Sequence, residues 1–191
     1  MPRTPVQRRS ARRNVPVSEA RHFLEPGPIV LVSSSWQGHD NIMTLGWHTV
    51  LEFSPSLVGC MISAGNHSFD MIRSSGECVI NLPTTALTDV VVGIGSCSGA
   101  DTDKFARFGL DRLPSSQVSA PRIAQCHAHF ECRLHDDAMV ERYNFFIFEI
   151  VKAQAAVSPK TPELLHYTGD GVFRTSSRTI SRKSRFRPEM L

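Results

Sequence analysis

The chain has 191 residues, 41% hydrophobic and 20% charged, which predicts one globular domain with a core of its own. No apolar run approaches the ~18 residues of a helical membrane span, so that class is excluded. Five cysteines, Cys60, Cys78, Cys97, Cys126 and Cys132, are scattered and odd in number, which fits reduced thiols in a cytoplasmic protein better than a disulfide framework.

The net charge of +3 is unevenly spread. Residues 1–21 hold six arginines and one acid, and residues 174–191 hold six basic residues and one acid. The stretch between them has nine basic and sixteen acidic residues. Basic arms on an acidic body raise nucleic-acid binding as a rival, non-enzymatic function. The acidic middle carries no basic face interleaved with aromatics, so the arms read as solubilising tails or contacts to a neighbouring subunit. Arg8-Arg9 and Arg12-Arg13 are followed by Asn14-Val15-Pro16-Val17 with no apolar stretch, and no export signal is expected. Three segments result: a basic arm over 1–25, a folded domain over 26–175 and a basic tail over 176–191.

In chain order, Pro26-Gly27-Pro28 releases the β-branched run Ile29–Ser35, a buried strand. Gln37–Asn41 reads as a turn, with Asn41–Thr44 a loop beyond it. Trp47–Phe53 alternates, and Leu57–Ile62 is a further apolar run. A short helix is expected over 68–74, with Ser68 as its N-cap and Gly76 as its stop. Cys78–Leu82 is a strand ended by Pro83. Thr84–Val92 and Asp103–Phe108 look helical, separated by Gly93-Ile94-Gly95-Ser96-Cys97-Ser98-Gly99. Two long strands follow, over 122–134 and 143–156. Many strands, few helices and no βαβ alternation predict a mainly β, closed or nearly closed antiparallel barrel.

Several chemical motifs fail. Cys126-His127-Ala128-His129-Phe130-Glu131-Cys132 suggests a metal centre. On a strand, however, His127, His129 and Glu131 share one face and the cysteines the other, so no mixed Cys/His tetrahedron forms and only a His127/His129/Glu131 site stays geometrically open. Asp101-Thr102-Asp103 lacks the glycine and glutamate of a calcium loop. Glycines 93, 95 and 99 do not make a dinucleotide fingerprint.

The chemistry lies in an ordered set. Asn41-Ile42-Met43-Thr44-Leu45-Gly46-Trp47 precedes Phe53-Ser54-Pro55-Ser56-Leu57-Val58-Gly59. Next come Ser63-Ala64-Gly65-Asn66-His67-Ser68 before a helix, and Val79-Ile80-Asn81-Leu82-Pro83. Ser98-Gly99 with Asp103-Lys104-Phe105, and His166-Tyr167 with Gly169–Phe173, extend it. A helix N-terminus with the hydroxyl of Ser68, the amide of Asn66 and the cation of Lys104 suits a phosphate. The 41–44 segment offers hydrogen bonds to a flat polar ring, and Trp47 an apolar wall.

This order resembles the FMN-binding split barrel of the flavin reductase and flavoredoxin family. The resemblance implies a split antiparallel β-barrel, bound FMN, NAD(P)H as electron donor, and a homodimer with FMN near the subunit interface. It places Asn41, Ile42, Met43, Thr44, Trp47, Ser63, Asn66, His67, Ser68, Lys104, Tyr143 and Phe173 at the cofactor, Phe173 as an aromatic capping the flavin from either subunit. No catalytic acid, base or nucleophile is expected, because hydride transfer to flavin needs positioning and electrostatics. The electrons pass to free flavin, to a monooxygenase partner or to another acceptor protein; the flavoredoxin-like match favours retained FMN. A split barrel holding haem or a deazaflavin is the other alternative. Where flavoredoxin-like relatives carry a histidine, this chain has Tyr143, which removes imidazole chemistry and leaves the acceptor open.

Overall fold

The computed structural model of the chain describes residues 11–20, 27–169, 171–176 and 179. Most of the two basic arms lies outside the described residues. Within the first arm, β1 (Arg12–Val15) pairs antiparallel with the end of the longest strand, so this part of the arm is a strand of the barrel sheet.

The hairpin β2 (Val30–Trp36) and β3 (His39–Leu45) is turned by Gln37 and Gly38, with φ of 50° and 80°. Two left-handed residues match the twist of the flanking strands. This tight turn starts β3 at His39, so the segment 41–44, expected as a loop, is fully paired with β2, Asn41 opposite Ser34. β4 (His48–Glu52) and β5 (Leu57–Met61) form a second hairpin. β6 (Glu77–Leu82) packs beside β2, and β9 (Ala128–Asp136) joins β6 to β10 (Phe145–Ala156).

The sheet runs β3-β2-β6-β9-β10-β5-β4, with β1 on β10. Its two end strands, β3 and β4, are joined by the chain itself through Gly46-Trp47. The sheet is thereby closed covalently, without a continuous hydrogen-bonded seam, and a mainly β split barrel results. Two short pairs lie outside it: β7 (Arg112–Leu113) with β8 (Arg122–Ile123), and β11 (Leu165–Gly169) with β12 (Val172–Thr175).

Alternation of side chains divides the core in two. Val30, Val32, Met43, Leu45, Cys60, Ile80, Phe130, Cys132, Phe146 and Phe148 fill the barrel. Leu31 and Ile42 face outwards, where they meet Val91 and Ile94 of α2 (Thr88–Gly95) and Phe105 of α3 (Lys104–Arg107). The first residues of β2, Val30–Val32, are buried on both faces and read in sequence as an apolar run, which the buried Ser33 and Ser34 continue. The helix α1 (His67–Ser75) contributes Phe69 and Ile72 to the barrel interior, Phe69 edge-on to Phe146 at 5.3 Å. Gly76, at φ 66°, ends α1 by donating to Ile72 O.

Two long-strand boundaries differ from the sequence expectation. The first breaks at 124–127, where the Arg12 guanidinium takes the carbonyls of Ala124 and Cys126, and resumes as β9. The second starts at Phe145, because Val140–Tyr143 forms a helical turn, α4, stopped by Asn144 at φ 55°. The His127/His129/Glu131 face is a structural network. His129 Nε2 accepts from Arg12 Nε at 2.8 Å, which puts the ring proton on Nδ1, facing Asn81 Oδ1 at 3.0 Å. Glu131 accepts from the backbone N–H groups of Ser116 and Gln117. Among the described residues no group of His, Cys, Asp and Glu is placed to hold a metal ion. No described helix is long and apolar enough to cross a membrane.

Candidate functional site

A cavity of about 310 Å³ opens between β3, the start of α1 and the segment linking α2 to α3. Asn41, Met43, Gly65, Asn66, His67, Ser68 and Lys104 line it, together with the small-residue run Gly95–Gly99. Register explains which β3 residues arrive there. Met43 faces the barrel, whereas Ile42 packs outwards and Thr44 donates to Val91 O at 2.7 Å, clamping α2 against the sheet.

Asn41 is 3% exposed, and its Nδ2 donates to Ser68 Oγ at 2.9 Å. Its Oδ1 is buried with no hydrogen-bond partner in the protein, which leaves an acceptor at the cavity wall for a water or a ligand's donor. Gly99 packs on this amide so closely that a Cβ there would lie 2.0 Å from Oδ1. Ser68 was expected to cap α1. Asn66 holds that place, and no side chain caps the helix, since the Ser68 hydroxyl is turned to Asn41. With Asn66 N donating to Ser63 O and Phe69 N to Asn66 O, the N–H groups of His67 and Ser68 are left for solvent or ligand.

Lys104 is 5% exposed. Its Nζ donates to Ile94 O at 3.0 Å, the carbonyl end of α2, and it forms no ion pair among the described residues. Burial pulls its ammonium below the ordinary lysine value, opposed by Cys97 and Asp101. Asp103 starts α3 by accepting from Ala106 N at 3.1 Å; that bond, with Arg112 beside it, holds its carboxyl below the usual range. A buried cation and an uncapped helix N-terminus facing one cavity attract a dianion, and Asn41 Oδ1 supplies an acceptor for a donor of the ligand. The residues present therefore fit a phosphate-bearing flavin.

The remaining expected residues stand outside this lining. Ser63 Oγ accepts from Gly65 N at 3.3 Å and shapes the turn into α1. Trp47 is 70% exposed at the β3–β4 link. Tyr143 is exposed at the end of α4, with Arg142 over its ring. Phe173 is half-buried in the β11–β12 hairpin, 5.1 Å from Tyr167. Sequence reasoning missed Cys97 and Gly99 as cavity residues. Their signal was the run of small residues from Gly93 to Gly99, of which only Ser98-Gly99 entered the family set and none was placed at the ligand.

The fold and cavity define a split-barrel protein with an anion-attracting pocket at a helix N-terminus. The profile of the flavin reductase like domain matches residues 22–175, and the chain belongs to that family. It is 28% identical to YddH of Escherichia coli K12 over 181 residues, 87% of this chain and 96% of that protein. It is 33% identical to a protein of Archaeoglobus fulgidus over 111 residues, 58% of this chain and 63% of that protein. An FMN-binding domain of a flavin reductases-like enzyme from Shewanella baltica OS155 superposes with a TM-score of 0.85 at 26% identity, covering 92% of this chain and 100% of that one. The flavoredoxin of Desulfovibrio vulgaris (Miyazaki F) shares the fold, with a TM-score of 0.75 at 20% identity over 95% and 97% of the two chains.

Proposed function

We propose that the chain binds FMN in this cavity and, as a cytoplasmic homodimer, passes electrons from NAD(P)H through it to free flavin or an acceptor protein. The observation that carries the reading is the convergence of Lys104 and the α1 N-terminus on one cavity whose buried Asn41 Oδ1 lacks a partner. FMN, when bound, supplies hydride and single-electron chemistry. The protein's part is to bind and orient. Lys104, the first-turn amides of α1 and the Ser68 hydroxyl hold negative charge; Asn41 Oδ1, beside Ser68, accepts from a ligand hydroxyl next to the phosphate. No side chain in the lining is required to move a proton, which agrees with a site that works by positioning.

The dimer has its own support. β4 is an end strand of the sheet, and Trp47 just before it, Leu51 on it and Phe53 just after it are 70%, 43% and 54% exposed. Large exposed apolar side chains on a sheet edge mark an interface.

The test is the absorbance spectrum of purified protein before and after dialysis, followed by NADH and NADPH oxidation with FMN present. A flavin spectrum with nicotinamide-dependent bleaching is expected. Retained colour favours bound FMN and a protein acceptor; lost colour favours release of reduced flavin. A haem or deazaflavin spectrum, or no FMN binding at all, refutes the reading.

A further inference from the structure

The cysteines divide sharply. Cys60, Cys78, Cys126 and Cys132 are buried; burial holds the thiols of Cys60 and Cys126 high, and a hydrogen bond with Cys132, then burial, does so for Cys78. Cys97 alone is part-exposed and lines the cavity. Its Sγ faces Ile94 O at 4.0 Å, the same carbonyl that takes Lys104 Nζ at 3.0 Å, so thiol and ammonium converge on one acceptor. In the same cavity the 97%-buried Asn41 leaves Oδ1 without a protein partner, an independent sign that this space can take a ligand's donor.

We propose that Cys97 forms a reversible mixed disulfide with an anionic low-molecular-weight disulfide drawn in by the same cationic cavity, and that this adduct prevents cofactor loading. Electropositive, partly exposed thiols are the ones that exchange; buried apolar ones are inert. The Cys97 thiolate attacks one sulfur of the small disulfide. A new S–S bond forms to Cys97, the original S–S bond breaks, and the other half leaves as a thiolate that takes up the proton lost by Cys97. Cys97 sulfur is oxidised as the leaving sulfur is reduced, so no further oxidant is needed. The adduct brings carboxylates next to Lys104 and fills space between Gly95–Gly99 and Asn66–Ser68. Its effect on loading rests on the FMN reading above; its formation does not.

The experiment treats the reduced, dialysed full-length protein with glutathione disulfide and reads intact mass and tryptic peptides. One glutathionyl group on the Cys97 peptide is expected, at a rate at least about tenfold lower when FMN is present in excess. The modified protein should bind FMN at least about tenfold more weakly, with recovery on adding dithiothreitol. Cys97→Ser protein should take up no adduct, and its FMN affinity should be indifferent to the disulfide. No adduct at Cys97, or an adduct that leaves FMN affinity unchanged, overturns the proposal. An adduct at Cys97 on a protein that binds no FMN even when reduced supports the thiol site and overturns the cofactor reading instead.

Discussion

Gly99→Ala tests the cavity most directly, because its effect follows from geometry alone. A Cβ at 99 would lie 2.0 Å from Asn41 Oδ1, 2.4 Å from Cγ and 2.7 Å from Nδ2, so it meets the whole amide. Asn41 sits on β3, paired along its length with β2, and its backbone has little freedom to retreat. To reach a contact of 3.0 Å the amide must swing by about 1 Å, which stretches the 2.9 Å bond to Ser68 past hydrogen-bonding range. Losing that bond in a buried setting costs about 1–3 kcal/mol, and displacing the Oδ1 acceptor removes a ligand contact of similar size. FMN affinity should fall about 10- to 100-fold, since each 1.4 kcal/mol is a factor of ten. Flavin fluorescence titration measures this, with thermal melting alongside to show that the barrel persists. A folded Gly99→Ala protein that binds FMN within twofold of the parent would refute both the packing argument and the placement of the ligand.

Lys104→Met keeps the aliphatic stem and removes the charge. FMN affinity should drop about 10- to 100-fold while riboflavin affinity stays level, because a charge-assisted contact to phosphate is worth about 1.5–3 kcal/mol; parallel titrations with the two flavins decide it. Leu51→Asp on the exposed end strand should shift sedimentation from dimer to monomer without lowering the melting temperature of the fold; a dimer that survives removes β4 from the interface. His129→Gln tests the buried network. Burial, then the Arg12 charge, holds His129 well below its ordinary value, so the unfolded chain takes up the proton first. Stability is therefore full above the unfolded histidine pKa near 6.5 and declines as pH falls below it, by up to about 1.4 kcal/mol per pH unit. Glutamine does not titrate, so the stability gap between parent and variant should narrow by that amount between pH 6 and 5. Urea melts at pH 7, 6 and 5 report it, and a gap constant with pH refutes the neutral-imidazole assignment.

Local signals carried most of the architecture. The β-branched run at 29–35, the Gln37-Gly38 turn, Gly76 as helix stop and the absence of βαβ spacing each encode a near-neighbour preference, and together they yield an antiparallel barrel. That Asn41, Asn66–Ser68 and Lys104 belong to one place was also legible, because a helix start, a hydroxyl and a cation are each suited to an anion, and they do line one cavity. Distant contacts were not legible. That β3 is a strand and not a loop, that Arg12 reaches 117 residues along the chain to His129, and that Ser68 binds Asn41 instead of capping α1 all depend on how strands pair. The same holds for Gly99 against Asn41 and for Cys97 beside Lys104. Small residues carry no local preference for a site, and only the closed barrel brings the 95–99 segment over β3. The sequence by itself determined the family and the β class. The tertiary structure decided which of the named residues share a cavity, and it left Trp47, Tyr143 and Phe173 outside that cavity, because strand register and helix packing place side chains that spacing along the chain cannot.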